Sequence, residues 1–288
     1  MALTRRAFLA GLALAALPVG VPVDAPVHAA GPPQSTSRFA TFVVHPYDTP
    51  SRLYARFRPL TLYLAGTISR PMRLIIASTY QEQIGMIASG RADFAYLGPT
   101  PYVQAREQGD VQILAGEAEG ENVFYQSALV VRADSPIQNV KDLAGKRIAL
   151  GAPISMSSSV APRQMLAQAG LRRADLAAMT HLDRHERVAL AVLHGDFDAG
   201  GLRLDIARTY LPRGLRVLAV SPPLPPHVIA ASPAVSRTDR ENVRLALLHP
   251  DDSGRAALRA LGEQTHFVPI DDAHFHAVRR MEKNLAQW

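Results

Sequence analysis

Asp93-Phe94-Ala95-Tyr96-Leu97-Gly98-Pro99-Thr100-Pro101-Tyr102 is the stretch on which the reading of this chain turns. Residues 93–97 form a short apolar run, the pattern of a strand buried on both faces. Gly98-Pro99 stops it, and a helix is expected from 101 to 108. Proline is tolerated near a helix start because the N–H it lacks would have no partner there. In an open α/β sheet, ligands sit beyond the carboxyl ends of strands, where helix N–H groups and the positive end of the helix dipole converge. Gly98-Pro99-Thr100 is such a junction, with Thr100 adding a hydroxyl.

The same unit of strand, turn and helix recurs on both sides of residue 130. Strands are expected at 39–44, 72–76, 147–150, 179–182 and 197–201. Amphipathic stretches follow them at 53–64, 80–88, 160–168, 187–194 and 205–210. Further strands are expected at 111–115, 127–132, 216–220 and 228–231. Helices are expected at 135–143, 237–247, 252–261 and 271–285. This alternation argues for an α/β protein with two lobes of comparable size. The stretches at 125–132 and 217–229 are the candidate crossovers between them.

Composition excludes several classes. The chain has 288 residues and no cysteine, so disulfide scaffolds, thiolate metal sites and lipidated cysteine anchors are ruled out. At 48% hydrophobic and 19% charged it is not a disordered sequence. The net charge of +6 is spread thinly over a chain of 6% aromatic content, which argues against nucleic-acid binding. Residues 1–29 read as an export signal: Arg5-Arg6 followed by Phe8-Leu9, an apolar stretch, then Val27-His28-Ala29 for cleavage after Ala29. The arginine pair has the form of a twin-arginine signal, with an ordinary Sec signal as the alternative. Removing it lowers the net charge by one. No later run is long enough to span a bilayer, which needs about 20 apolar residues.

The catalytic motifs are missing. There is no G-x-S-x-G elbow, Walker loop or G-x-G-x-x-G turn, and His181 and His185 lack the glutamate of an HExxH helix. No metal and no cofactor is expected. What stands out is a set of neutral donors at strand ends. Ser155, Ser157, Ser158 and Ser159 fall within five residues ahead of a helix, either as an oxyanion site or as a helix cap and turn. Tyr47 and Tyr96 end strands and either line a cleft or fill a core. On this reading the anion is held by serine, threonine and backbone donors with no compensating cation.

The ordered set of segments resembles the PhnD-like family of periplasmic substrate-binding proteins, which serve ABC transporters for phosphonate, phosphite or phosphate. The quoted segment with Tyr102-Val103 carries the resemblance first. His45-Pro46-Tyr47, Phe57-Arg58-Pro59-Leu60, Ser155-Met156-Ser157 with Pro162, His185-Glu186, residues 191–200 and residues 221–225 extend it over about 39–250. The resemblance implies a type II periplasmic-binding fold: two α/β lobes, joined by two crossover segments, with the ligand cleft between them. The implied division is a signal at 1–29, lobe one at 30–128 and 222–288, and lobe two at 129–221. It also implies a ligand set: Tyr47, Tyr96, the loop of Ser155, Met156 and Ser157, His185 and Asp205, with Thr100 and Ser158 as added donors. Met156 stands where the family commonly has threonine. That hydroxyl is lost, and a missing hydrogen bond to a charged group costs about 1.5–3 kcal/mol.

Each role has an ordinary alternative. His185 either donates to the ligand, with affinity rising as it protonates in mild acid, or is a hydrogen-bonded helix-start histidine. Asp205 accepts from a ligand P–O–H, pairs with a ligand amine, or caps a helix. The expected function is non-catalytic capture of a small phosphorus oxyanion in the periplasm and delivery to an inner-membrane ABC permease. A receptor of the same fold serving a membrane kinase or respiratory complex is the alternative. An exported enzyme is disfavoured by the missing motifs.

Overall fold

The computed structural model describes residues 39–288. The export signal read at 1–29 therefore lies outside the described residues. Two mixed sheets organise the chain. The first holds β1 (Ala40–Val44), β2 (Met72–Ile76), β3 (Phe94–Leu97), β4 (Gln112–Glu119), β10 (Val228–Ala231) and β11 (Thr265–Val268), in the order β11-β4-β10-β3-β1-β2. The second holds β5 (Ser127–Arg132), β6 (Arg147–Leu150), β7 (Ala178–His181), β8 (Ala199–Arg203) and β9 (Leu215–Val220), in the order β7-β6-β8-β5-β9.

Each sheet has a parallel trio, β2-β1-β3 in one and β7-β6-β8 in the other. Against each trio lies one antiparallel strand, β10 or β5. In both cases this is the first strand the chain forms after passing from the other sheet. The inner parallel strands β1, β3 and β6 read as apolar runs; all four residues of β3 are buried. Asp93, at the head of the quoted stretch, is structural. Its Oδ2 accepts from the Thr41 N–H and the Thr41 hydroxyl, both at 2.8 Å, and its own N–H donates to Thr41 Oγ1 at 2.9 Å. This reciprocal staple fixes the register of β3 against β1.

The helices are α1 (Pro50–Thr67), α2 (Tyr80–Ala88), α3 (Pro99–Gln108), α4 (Ala161–Gln168), α5 (His185–Leu193), α6 (Leu204–Tyr210), α7 (Arg237–Leu248), α8 (Asp252–Arg259) and α9 (His276–Leu285). Thr79 caps α2 by accepting from the Glu82 N–H, and Ser236 caps α7 in the same way. Tyr102 of α3 is buried, packs 4.7 Å from Phe275 and donates to Asp272 Oδ1 at 2.7 Å, tying α3 to the C-terminal segment. Among the described residues no helix is long and apolar enough to cross a membrane.

Three expectations need correction. No α-helix covers 135–143; a single 3-10 turn at Val140–Leu143 stands there. Asn139 and Asp142 form its capping box, and Arg216 donates to the carbonyls of Ser135 and Ile137, holding the preceding chain extended. β4 runs on to Glu119, and β11 pairs with that extension, so Glu117, Ala118 and Glu119 are strand. The helix after the serines starts earlier, with a π-helical turn at Met156–Val160 that leads into α4. The chain passes between the sheets at 120–126 and 221–227. The two passages are joined by a bridge: the Tyr125 N–H donates to the Leu224 carbonyl at 3.2 Å, and the Leu224 N–H to the Tyr125 carbonyl at 2.7 Å.

Candidate functional site

The carboxyl ends of the parallel strands point into one cleft of about 240 Å³. β1 delivers His45 and Tyr47. β3 delivers Tyr96, Gly98 and Pro99. β6 leads into Ser155, Met156 and Ser157, and β8 ends at Arg203 with Asp205 two residues on. The cleft thus sits at the ends of both parallel trios, where converging helix starts favour anions. A second chamber of about 370 Å³ opens beside it and shares Glu117, Glu119, Tyr125, Arg203, Asp205 and His227 as a common wall.

The serine segment is held rigidly from behind. Gly151 follows β6, and its N–H donates to the Ser158 carbonyl at 2.9 Å. A Cβ at Gly151 would lie 2.0 Å from Ser158 Oγ, so only glycine lets the chain pass this closely. Ser127 Oγ donates to the Ser157 carbonyl at 2.6 Å, and Ser158 Oγ to Ser155 Oγ at 2.7 Å. These contacts pin the carbonyl side of the turn. The N–H groups of Met156, Ser157 and Ser158 open the helix and have no acceptor one turn back. π-turns of this kind recur at functional sites.

One wall is a column of aromatic rings. Tyr125 and His227 lie 5.8 Å apart, His227 and Tyr96 5.0 Å apart, and Tyr96 and His45 6.2 Å apart, the last two pairs within a few degrees of parallel. Tyr47 and Tyr80 flank His45 at 4.8 and 4.7 Å. The imidazoles are kept neutral. Burial lowers His45 to about 4, against a hydrogen bond to the Tyr96 backbone that favours the proton. Burial also lowers His185 to about 4, with the Arg203 cation adding to the effect. Burial, Arg203 and His45 hold His227 well below the usual histidine range.

Charged groups face this column. Arg56 of α1 is half-buried, its Nη2 donates to the Leu261 carbonyl, and its Cζ lies 6.0 Å from the Tyr47 ring centre. Arg203 has its Nε 3.0 Å from Asp205 Oδ1 and its Cζ 4.9 Å over the Tyr125 ring. Glu117 of β4 accepts from the Tyr96 hydroxyl at 2.6 Å. Burial pushes its carboxyl up, while the Tyr96 hydroxyl, Arg203 and Arg56 pull it down. Burial likewise pushes Tyr47 up to about 12, so its hydroxyl stays a donor.

Of the nine residues read from the sequence, seven line this cleft: Tyr47, Tyr96, Ser155, Met156, Ser157, His185 and Asp205. Two do not. Thr100 turns away; its hydroxyl donates to Met156 Sδ at 3.4 Å and faces a separate hollow beside α9. Ser158 is buried behind Ser155 and acts as its support. Met156 packs in one core cluster with Leu97 of β3 and Tyr102 and Val103 of α3, so its side chain joins the two halves of the core. The expectation of a site without cations is also wrong, because Arg56 and Arg203 both line the cleft. His185, read either as a donor that protonates in mild acid or as a helix-start histidine, is held below its ordinary value in the open cleft by burial and the Arg203 cation. Its Nδ1 accepts from the Arg203 N–H at 3.4 Å, which leaves Nε2 as the donor of a neutral ring. The affinity ratio between wild type and His185→Gln, measured from pH 5.5 to 8, is therefore expected to stay within about twofold. A ratio that climbs on acidification would restore an ionising role.

Among the described residues no group of three or more His, Asp or Glu is arranged to hold a metal ion. Two mixed sheets joined by two passages, with donors and guanidinium groups converging at the strand ends between them, define a two-lobed binding protein of the type II periplasmic fold. PhnD1 from Prochlorococcus marinus, solved in complex with methylphosphonate, has this fold: TM-score 0.75 at 18% identity, covering 87% of this chain and 99% of that one. Residues 42–275 match the family model described as ABC transporter, phosphonate, periplasmic substrate-binding protein, and the chain belongs to that family. The phosphate-import protein PhnD of Mycolicibacterium smegmatis is 32% identical over 184 residues, 58% of this chain. The matched stretch spans 57% of that relative's length. The phosphonates-binding periplasmic protein of Escherichia coli is 24% identical over 230 residues, 76% of this chain and 67% of its own. This is a family of transport receptors, not of enzymes.

Proposed function

We propose that this protein captures a small phosphorus oxyanion, a phosphonate, phosphite or phosphate, and hands it to an ABC permease of the inner membrane. The observation that carries the reading is the cleft itself. It combines helix-start N–H groups at 156–158, the hydroxyls of Ser155 and Ser157, the Nε2–H of His185 and the Arg56 guanidinium. Such a set matches a tetrahedral anion with several acceptor oxygens. The three imidazoles lie in the cleft without adding fixed charge. In this reading lobe one is 30–128 with 222–288 and lobe two is 129–221, a boundary that falls two residues inside β5. Bending at the bridged passages would close the serine turn and the aromatic column onto the ligand. With the signal at 1–29, the place of work is the periplasm after export, by the twin-arginine route.

A thermal-shift panel tests the reading. Phosphate, phosphite and methylphosphonate are set against sulfate, taurine and a carboxylate. A ligand present at a hundred times its Kd stabilises by about 2.7 kcal/mol, which is readily visible in the melting temperature. Stabilisation by at least one phosphorus oxyanion, exceeding that by sulfate, is the expected result. A response confined to sulfonates or carboxylates would overturn it.

A further inference from the structure

Arg203 closes β8, and its guanidinium is placed among groups that would otherwise attract a cation. Asp205 Oδ1 lies 3.0 Å from its Nε, out of line for a hydrogen bond, and the Tyr125 ring lies 4.9 Å beneath its Cζ. Glu117, held by the Tyr96 hydroxyl, interacts with its charge from the facing sheet. Carboxylates beside an aromatic face are the chemistry that recognises an ammonium. In this cleft the protein supplies the cation itself, at 26% side-chain exposure. The second guanidinium, Arg56, sits near the other aromatic face, Tyr47, and is anchored on the Leu261 carbonyl.

Resting on the phosphorus-oxyanion reading, we propose that Arg203 is a built-in counter-cation. It occupies the position between Glu117, Asp205 and Tyr125 where a ligand amine would sit. The cleft therefore selects phosphorus oxyanions with uncharged substituents over zwitterionic aminoalkylphosphonates. A ligand ammonium entering this wall meets a like charge in a partly desolvated site, and such juxtapositions discriminate strongly between ligands. The anionic head still finds the serine turn and Arg56 in the same cleft.

The test compares two phosphonates of equal length, propylphosphonate and 2-aminoethylphosphonate, by calorimetry on the purified protein at pH 7.5. Wild type is expected to bind propylphosphonate at least tenfold more tightly. Arg203→Ala uncovers the two carboxylates and is expected to reverse the order; Arg203→Lys keeps the cation and the wild-type order. A wild-type preference for 2-aminoethylphosphonate would overturn the inference while leaving the oxyanion reading intact. So would an Arg203→Ala protein that weakens both ligands equally. Binding of neither phosphonate, nor of phosphate or phosphite, by wild type would overturn both. Should Arg203→Ala not fold, the wild-type ratio and Arg203→Lys still decide the matter.

Discussion

Arg56→Ala is expected to weaken binding of methylphosphonate by about 30-fold to several thousandfold, because removing one member of a desolvated charge pair costs about 2–5 kcal/mol. Arg56 does three things at once. Its Nη2 is fixed on the Leu261 carbonyl, so the guanidinium meets the ligand in one orientation. Its charge lies beside the Tyr47 ring, Cζ 6.0 Å from the ring centre, and works against the upward push of burial on that hydroxyl. It also offsets the charge of Glu117 across the cleft. Without it, an entering oxyanion meets a carboxylate whose nearest remaining cation, Arg203, is already shared with Asp205. Arg56→Lys keeps the charge but not the planar fork, and should fall between the two. Calorimetry measures the affinity. The melting temperature separates out the smaller loss of about 1 kcal/mol from the freed Leu261 carbonyl. An affinity within threefold of wild type would show that the serine turn alone holds the ligand.

The contrast between Arg56 and Ser155 explains what the sequence can disclose about such a site. Ser155, Ser157, Tyr47 and Tyr96 are legible because each lies at or just past a strand end, whereas His185 and Asp205 come only from the family resemblance. Strand ends are marked locally by apolar runs broken by Gly, Pro or Ser. Arg56 sits instead on an amphipathic helix beside Arg52 and Arg58, both exposed, and nothing local separates the arginine that turns inward. Glu117 lies in an acidic, glycine-containing stretch that reads as loop. Its place in the cleft comes from pairing of β4 with β10 and β11, strands more than a hundred residues away. Arg203 was within reach. β8 ends on it, and continuing the strand two residues past Gly201 would have put it at a strand-to-helix junction. Thr100 shows the opposite failure. It lies at a strand end, but the first turn of α3 faces its hydroxyl away from the cleft, toward Met156.

His45 ties the site to the stability of the fold, and its effect should appear in acid. The ring is 3% exposed, its Nδ1 has no hydrogen-bond partner among the described residues, and its neighbours are the uncharged rings of Tyr47, Tyr80, Tyr96 and His227. A proton there finds no counter-charge, and burial lowers the pKa from 6.5 to about 4. The sign follows from linkage. The unfolded chain takes up this proton near pH 6.5 and the folded protein only near pH 4, so unfolding gains protons throughout that window. Stability contributed by neutral His45 is complete above pH 6.5 and is lost as pH falls towards 4. The loss amounts to about 3 kcal/mol at 1.36 kcal/mol per pKa unit. His45→Phe keeps a ring of similar size, and the Tyr96 carbonyl retains Gln83 Nε2 as a donor at 2.7 Å. The variant is therefore expected to match wild type in urea denaturation at pH 7.5 to within about 1 kcal/mol and to exceed it at pH 4 by about 3 kcal/mol. Parallel stability curves for the two proteins between those pH values would show that His45 folds with its proton, and that the aromatic column carries a charge at the wall where the ligand binds.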